Sequence, residues 1–470
     1  MRIFNISTIS IFLSLTIANS VYGQYLKETG ITSNLLKELK YSLQLTTPDT
    51  ALMNALTNNE LHALTLSREF IKKHNNLFSH KIKTKGITDQ QNSGRCWIFA
   101  GLNLLRPLVI KKYHLKNFEF SQSYLAFYDK LEKANFILEF IIQTRDRDLL
   151  DRELSEILDE GVQDGGYWQW FVALVEKYGL VPKDIYPETH PTSNTWLMNR
   201  IINEQVLAGS KALRTLTQKG VDETELRALK LKILKQVYKT LVMHFTAPPE
   251  HFIWRYEDED GKIIETRTYT PLEFYREFVG INLKDYVSLI HYPGREFNRL
   301  YEFDNCRNLY DSPNPQSVNV EITQLKEFVK KSILNDEPVW FACDVGKGSD
   351  RKTGILSSAL YNYDAIFQPE LKMDKETRIF YRYSNANHAM IILGVDIKNN
   401  QPVKYLVENS HGSDEGEQGF YTMYDDWFTD YVYEVIINKK YLTDEIKKIF
   451  AQEPIHLPLW DPMAQLLKVE

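Results

Sequence analysis

Apolar residues recur at helical spacing through the first half of the chain and in short β-branched and aromatic runs through its last third. From Gln24 to about Thr84 the sequence is polar and helix-leaning, with Leu35, Leu36 and Leu39 set among charges and with Asn58-Asn59 and Asn75-Asn76 as breakers. The run that begins at Cys96 stays apolar to Leu105, and Pro107 is expected to end or kink that helix. Ser121 caps a further helical stretch reaching about Leu158, interrupted by charges from Arg145 to Asp148. A tight loop over 161–166 precedes helical spacing from Tyr167 to Tyr178, which Gly179 stops. Between Ser193 and His244 the pattern is strongly amphipathic. Asp222-Glu223-Thr224-Glu225 is a capping sequence there, and Leu226, Leu229, Ile233 and Val237 form a stripe whose plain role is core packing. Pro248-Pro249 closes the segment. After about Gln316, strands are expected at 338–345, 380–383, 389–395, 405–407 and 431–437. Helices followed by strands predict an α+β fold of two lobes, with a site most naturally between them.

Composition adds boundaries. The chain has 470 residues, 43% hydrophobic and 25% charged, which suits a globular protein with more than one core. A net charge of -6 and a pI near 6.1 give no overall electrostatic footprint for nucleic acid or an anionic membrane. The first residues read as an address. Met1-Arg2 is a weakly positive start, Ile9 to Ala18 a short apolar core, and Val21-Tyr22-Gly23 a small-residue cleavage site, so a secretory signal peptide cut before Gln24 is expected. The apolar run is shorter than the roughly 20 residues of a membrane span. No cysteine follows it, which argues against a lipid anchor. Export to the periplasm or outside the cell is therefore the expectation, with the cytoplasm as the alternative.

Three cysteines, Cys96, Cys306 and Cys343, form neither a disulfide framework nor a CxxC motif, and at least one must be a free thiol. Core packing is the commoner role for an isolated cysteine. Cys96, however, stands between the polar turn 90–95 and an apolar helix start, where partial positive charge favours a thiolate. Gln90 lies six residues upstream. Thiol catalysis also needs a base and a group to orient that base. His62, His74, His80, His114 and His244 sit in polar or helical surroundings. His388 differs, because it stands where a turn enters an apolar strand, and Asn409 follows the next strand. Consecutive strands usually pair, which would make the two neighbours. There is no HExxH, and Gly346-Lys347-Gly348-Ser349 lacks the spacing of a phosphate loop, so no metal and no cofactor are expected.

The order Gln90, Cys96, His388, Asn409 is that of papain-like peptidases. The stretches QNSGRCWIFAGLN (91–103), FSQSYLAFYDKLEKANF (120–136), DGGYWQWF (164–171), VWFACDVGK (339–347), NHAMIILGV (387–395), VENSHG (407–412) and LWDPM (459–463) resemble the bleomycin hydrolase and aminopeptidase C family. Ser93 stands where secreted papain-like endopeptidases carry a second cysteine. The resemblance implies Cys96 as nucleophile, a thiolate beside imidazolium. It implies His388 as acid and base, Asn409 as its orienter, and Gln90 with the Cys96 N–H as oxyanion hole. It further implies a helical lobe and a β-barrel-like lobe with a large helical insertion, a homohexamer, and peptide substrates with a free N-terminus.

On that basis the chain divides into a signal peptide (1–23), an N-terminal arm (24–84), a helical lobe with Cys96 (85–192) and a mostly helical insertion making oligomer contacts (193–315). A β-rich lobe with His388 and Asn409 (316–450) and a C-terminal arm entering the cleft (451–470) complete it. Three features depart from the family pattern. His411 replaces a tryptophan that shields the His–Asn pair, the tail continues past Met463 for seven residues, and a signal peptide precedes the fold. An endopeptidase or dipeptide-releasing enzyme stays open if the tail leaves the cleft free. So does a non-catalytic hexamer that binds ligands in its channel.

Overall fold

The structure, a computed structural model, describes residues 29–367 and 373–469; the expected signal peptide and the terminal Glu470 lie outside the described residues. The chain separates into two compact units, divided after Leu66 except that the segment from Asn362 returns to the first. The small unit carries helices α1 (Ser33–Ser42), α2 (Thr47–Asn58) and α3 (Leu61–Thr65). Thr46 and Asp49 close a capping box at the start of α2, and Asn59 ends it in an extended conformation.

The larger unit begins with a short helix (Arg68–Lys73) and a two-residue strand, β1 (His80–Lys81), and then builds a helical half whose longer helices are α4 (Cys96–Tyr113), α5 (Gln122–Gln143), α6 (Trp168–Tyr178), α7 (Trp196–Gln218) and α8 (Glu223–Phe245). Side chains start two of these where the sequence indicates. Ser121 accepts from the N–H of Tyr124 at the head of α5, and Asp222 from that of Glu225 at the head of α8. Pro107 does not end α4, which continues to Tyr113 and stops at His114 in the left-handed region. A proline inside a helix costs about 3 kcal/mol. Here α4 is covered on nearly every side, with Leu104, Leu105 and Val109 fully buried, and that packing outweighs the lost hydrogen bond.

Strands begin earlier than the sequence pattern suggests. β2 (Phe252–Glu257) and β3 (Ile263–Tyr269) form a hairpin, and β4 (Tyr286–Ile290), β5 (Arg299–Asp304) and β6 (Gln316–Asn319) follow. Helix α9 (Ile322–Leu334) then leads into β7 (Val339–Cys343), β8 (Ser349–Asp350) and β9 (Ile355–Leu356). After these come β10 (His388–Lys398), β11 (Gln401–Glu408), β12 (Phe420–Tyr424), β13 (Val432–Asn438) and β14 (Ile455–Pro458), and helix α10 (Pro462–Leu466) precedes the tail. One sheet runs in the order β14-β5-β6-β4-β13-β7-β10-β11-β12-β9-β8, with β1 paired to β10. The expected strand at 380–383 is absent: residues 375–380 are helical and a turn follows. Its aromatic residues point to solvent, with Tyr381 80% exposed, so the run has no buried face to pair on.

The arrangement is an α+β fold. Its central strands are buried on both faces: β7 is covered at every position, and so is β10 from His388 to Val395. Helix α4 packs on β7 and β10, where the indole N–H of Trp340 donates to the Trp97 carbonyl at 3.3 Å. Among the described residues no helix is long and apolar enough to cross a membrane.

One buried group burdens the sheet. Glu434 in β13 bonds Ser288 through one carboxylate oxygen at 2.5 Å and has no partner for the other. Burial pushes its carboxyl up to about 8 from 4.5. The folded chain thus keeps a proton that the unfolded chain releases near pH 4.5, and this group removes stability as pH rises from there to about 8. Glu434→Gln is expected to raise the melting temperature at pH 8 and to change it little at pH 4.5. Thermal melts at the two pH values check this, and an equal shift at both overturns it.

Candidate active site

The turn before α4 is fixed by buried charge. Arg95 is 1% exposed and reaches both carboxylate oxygens of Glu188, at 3.2 and 2.9 Å, and the Thr192 carbonyl at 2.8 Å. Such a bidentate pair specifies orientation as well as position. The neighbouring Gly94 N–H donates to Asp164 at 2.9 Å, and Asp164 also takes Lys130 at 2.5 Å and the Thr195 hydroxyl. Burial opposes the Asp164 charge, but Lys130 and these hydrogen bonds hold its carboxyl well below the usual range. Cys96 is therefore presented by an anchored turn. Arg95, which has only donors, does not cap α4, and the N–H groups of Cys96 and Trp97 face the Cys96 thiol.

Gln90 is held beside this turn. Its backbone N–H donates to the Ser410 carbonyl at 2.8 Å, its Oε1 accepts the Ser410 hydroxyl at 2.6 Å, and its Nε2 donates to the Ser93 carbonyl at 2.6 Å. Those bonds leave one amide proton of Nε2 uncommitted among the described residues.

On the sheet side, His388 is the first residue of β10 and stands opposite Cys343 of β7. Its Nε2 lies 2.7 Å from Oδ1 of Asn409, which follows β11. That oxygen also accepts the Ser410 N–H at 2.9 Å, so it is an acceptor, and the imidazole proton belongs on Nε2. Nδ1 is left with its lone pair. Strands β10 and β11 pair antiparallel, with Ile391 opposite Glu408, which brings the histidine and the asparagine to one end of the ladder. The Cys96 thiol is fully buried and lies against the backbone N–H of Ala389, the residue after His388. The structure thus brings Gln90, Cys96, His388 and Asn409 together.

Burial weighs on the charge of both reacting groups. It pushes the Cys96 thiol up to about 12, against smaller help from backbone N–H groups. It pushes His388 down to about 4, with His411 and Arg351 acting in the same direction and the Asn409 bond against them. A lone charge on either group is costly because it has no water around it. A thiol, a base with a free lone pair and a set of N–H donors can perform nucleophilic attack on a carbonyl.

Two surroundings matter. First, His411 stacks on His388 with ring centroids 5.3 Å apart and planes 14° apart. Second, the tail crosses the site: Leu466 O accepts from Ala386 N at 3.2 Å, and Val469 exchanges two backbone hydrogen bonds with Gly166, at 2.9 and 3.2 Å. A Cβ on Gly166 would come within 2.5 Å of the Trp97 indole, so this strand-like approach needs glycine. Asp461 bonds Arg295 at 2.5 Å and Arg152 covers the Trp460 ring, which hold the base of the tail. Beside the imidazole, a cavity of about 270 Å³ is lined by Gln90, Gly346, Arg351, Asn387, His388 and His411 among others.

The sequence reading missed Arg106, Asp164 and Glu188. Of these only Arg106 carries a signal, a charge inside an otherwise apolar run, since an unpaired charge there is costly.

A model of the Peptidase C1-like family matches residues 30–464. Aminopeptidase C of Lactobacillus delbrueckii subsp. lactis is 35% identical over 440 residues, covering 93% of this chain and 96% of that protein. Bleomycin hydrolase of Homo sapiens is 35% identical over 453 residues, covering 94% and 100%. The crystal structure of PepW from Lactobacillus rhamnosis HN001 superposes with a TM-score of 0.90 at 35% identity, over 93% of this chain and all of that one.

If His411 opposes positive charge on His388, replacing it relieves the base. His411→Trp is expected to raise turnover about two- to five-fold, the range of a weak charge–charge term. The acid limb of kcat/KM should move to higher pH, because His388 then protonates more easily. A rate profile from pH 3.5 to 9 on an aminoacyl amide checks this, and an unchanged profile counts against it.

Proposed function

The chain belongs to the Peptidase C1-like family of papain-like cysteine peptidases, and we propose that it is an aminopeptidase working through Cys96, His388, Asn409 and Gln90. The observation that carries this reading is the 2.7 Å bond from His388 Nε2 to Asn409 Oδ1, which leaves Nδ1 as a base beside a thiol at a helix start. Cys96 Sγ attacks the scissile carbonyl as its proton passes to Nδ1. The carbonyl oxygen gains the electron pair and is received by the Cys96 N–H and Gln90 Nε2. Collapse breaks the C–N bond, and the imidazolium returns the proton to the leaving amine. A water molecule then attacks the thioester with His388 as base, releasing the carboxylate and regenerating the thiol.

The seated tail supports the exopeptidase form of this reaction. With Val469 hydrogen-bonded on Gly166, little room remains on the acyl side of the scissile bond, toward the peptide's N-terminus. A bound peptide then has one residue or so beyond that bond, and its free amine lies near the chain's own end. A homohexamer is proposed with it. Leu207 and Trp196 on α7 and Leu231 and Met243 on α8 are exposed apolar residues suited to subunit contact. Export rests on residues 1–23, and the substrates proposed are peptides with a free N-terminus.

Cys96→Ala is expected to abolish hydrolysis of aminoacyl amides, and Gln90→Ala to lower kcat by about 10²–10³. Retained hydrolysis by Cys96→Ala overturns the thiol mechanism. Removing residues 464–470 tests the tail separately. The shortened chain is expected to gain activity on amino-blocked peptides, assayed against the unblocked forms. Equal cleavage of both by the full chain favours the endopeptidase alternative.

A further inference from the structure

The tail and the open cavity lie at different places around the catalytic imidazole. None of Gly166, Ala386 and the tail residues lines the cavity, which is bounded by Gln90, Gly346, Asn387, His388, His411 and Arg351. If the amine side of a bound peptide meets the tail, the leaving side occupies this cavity. Its charged groups then face whatever residue follows the scissile bond.

The acids nearby are committed elsewhere. Asp344 accepts from Asn387 at 2.8 Å and from Ser384 at 2.7 Å. Asp89 accepts the backbone and side-chain N–H groups of Gln91 at 2.9 and 2.8 Å. Glu415 accepts the Tyr421 hydroxyl at 2.5 Å. Arg351 is the exception. Its side chain is 67% exposed, and its ion pair with Glu415 is loose at 3.8 Å. Five N–H donors in a planar fork suit a carboxylate, and among the described residues this fork makes one long side-chain contact. Its position is nevertheless fixed, because the Arg351 carbonyl accepts from Gly416 at 2.9 Å and Asp350 ties the turn through Lys352 and Thr353. Arg351 also disfavours positive charge on both His388 and His411, which places its own charge within electrostatic reach of the site.

We propose that Arg351 forms a carboxylate-binding subsite on the leaving-group side, so that the enzyme prefers peptides presenting an acidic residue, or a free C-terminal carboxylate, immediately after the scissile bond. This deepens the peptidase reading and rests on it. An anion held there also offsets the guanidinium field at His388, easing the protonation that the leaving amine requires. Arg351 is accordingly a specificity residue.

The test compares dipeptide amides that share one N-terminal residue X. X-Asp-NH2 against X-Asn-NH2 isolates the side-chain carboxylate, and X-Ala against X-Ala-NH2 isolates the terminal one. The expected preference for the carboxylate form in kcat/KM is about three- to five-fold, the range of a partly exposed ion pair. It should shrink between 50 and 500 mM NaCl (probe conditions spanning roughly the screening range). Arg351→Gln should bring the ratio to about one, Arg351→Lys should keep part of it, and Arg351→Glu should turn it toward X-Lys-NH2. Equal rates in the unaltered chain for both pairs overturn the subsite alone, as does a preference that survives Arg351→Gln. Failure of the unaltered chain to hydrolyse any of the four peptides overturns the aminopeptidase reading and the subsite with it.

Discussion

Arg106 and Glu408 form a buried ion pair, 2.5 Å between Nη2 and Oε1, joining the helix that carries Cys96 to the strand that ends just before Asn409. Both side chains are almost wholly inaccessible, and burial pushes Glu408 up to about 7 although Arg106 opposes that. Removing one partner of such a pair costs roughly 3–5 kcal/mol, since the other is left charged without water. The pair fixes how far α4 and β11 can slide. Because Cys96 lies at one end of α4 and Asn409 directly follows Glu408, the same constraint sets the relation of thiol and base.

Around that tie, each component of the site is held from a different element. The Arg95–Glu188 pair fixes the turn, the β7–β10 register fixes His388, and the Ser410 hydroxyl fixes the Gln90 amide. Asn387 fixes the cavity wall, its amide bridging Asp344 and the N–H of Val345. Function then depends on packing far from the sulfur. A catalytic group misplaced by about 1 Å loses on the order of 10² in rate, so these buried polar ties matter as much as the reacting residues.

The residue types of the site were legible because they stand at element boundaries. Cys96 begins a helix, His388 begins a strand, and Asn409 follows one, which local patterning can show. The depth of burial was not legible. A helix start favours a thiolate, whereas complete burial opposes a lone charge. Pro107 and the aromatic run at 380–383 mislead for related reasons. The first is rescued by packing around α4, and the second lacks the buried face that would make a strand of it. Strands β4 and β5 pair on one side with nearby β6 but on the other with β13 and β14, more than 130 residues later, so half of what holds them is not local. The ties from Arg95 and Arg106 are long-range too, and only Arg106 is marked, by its place in an apolar run.

Burial of both reacting groups makes a lone charge on either costly, so charge at the site needs help from fixed dipoles. The start of α4 serves that need, since the N–H groups of Cys96 and Trp97 face the Cys96 sulfur. The Asn409 bond serves it too: a neutral amide oxygen fixes the imidazole tautomer without stabilising imidazolium as a carboxylate would. His411 and Arg351 press in the same direction from the open side. The open side of the site, where the cavity lies, is then the place where an added charge most strongly influences the imidazole.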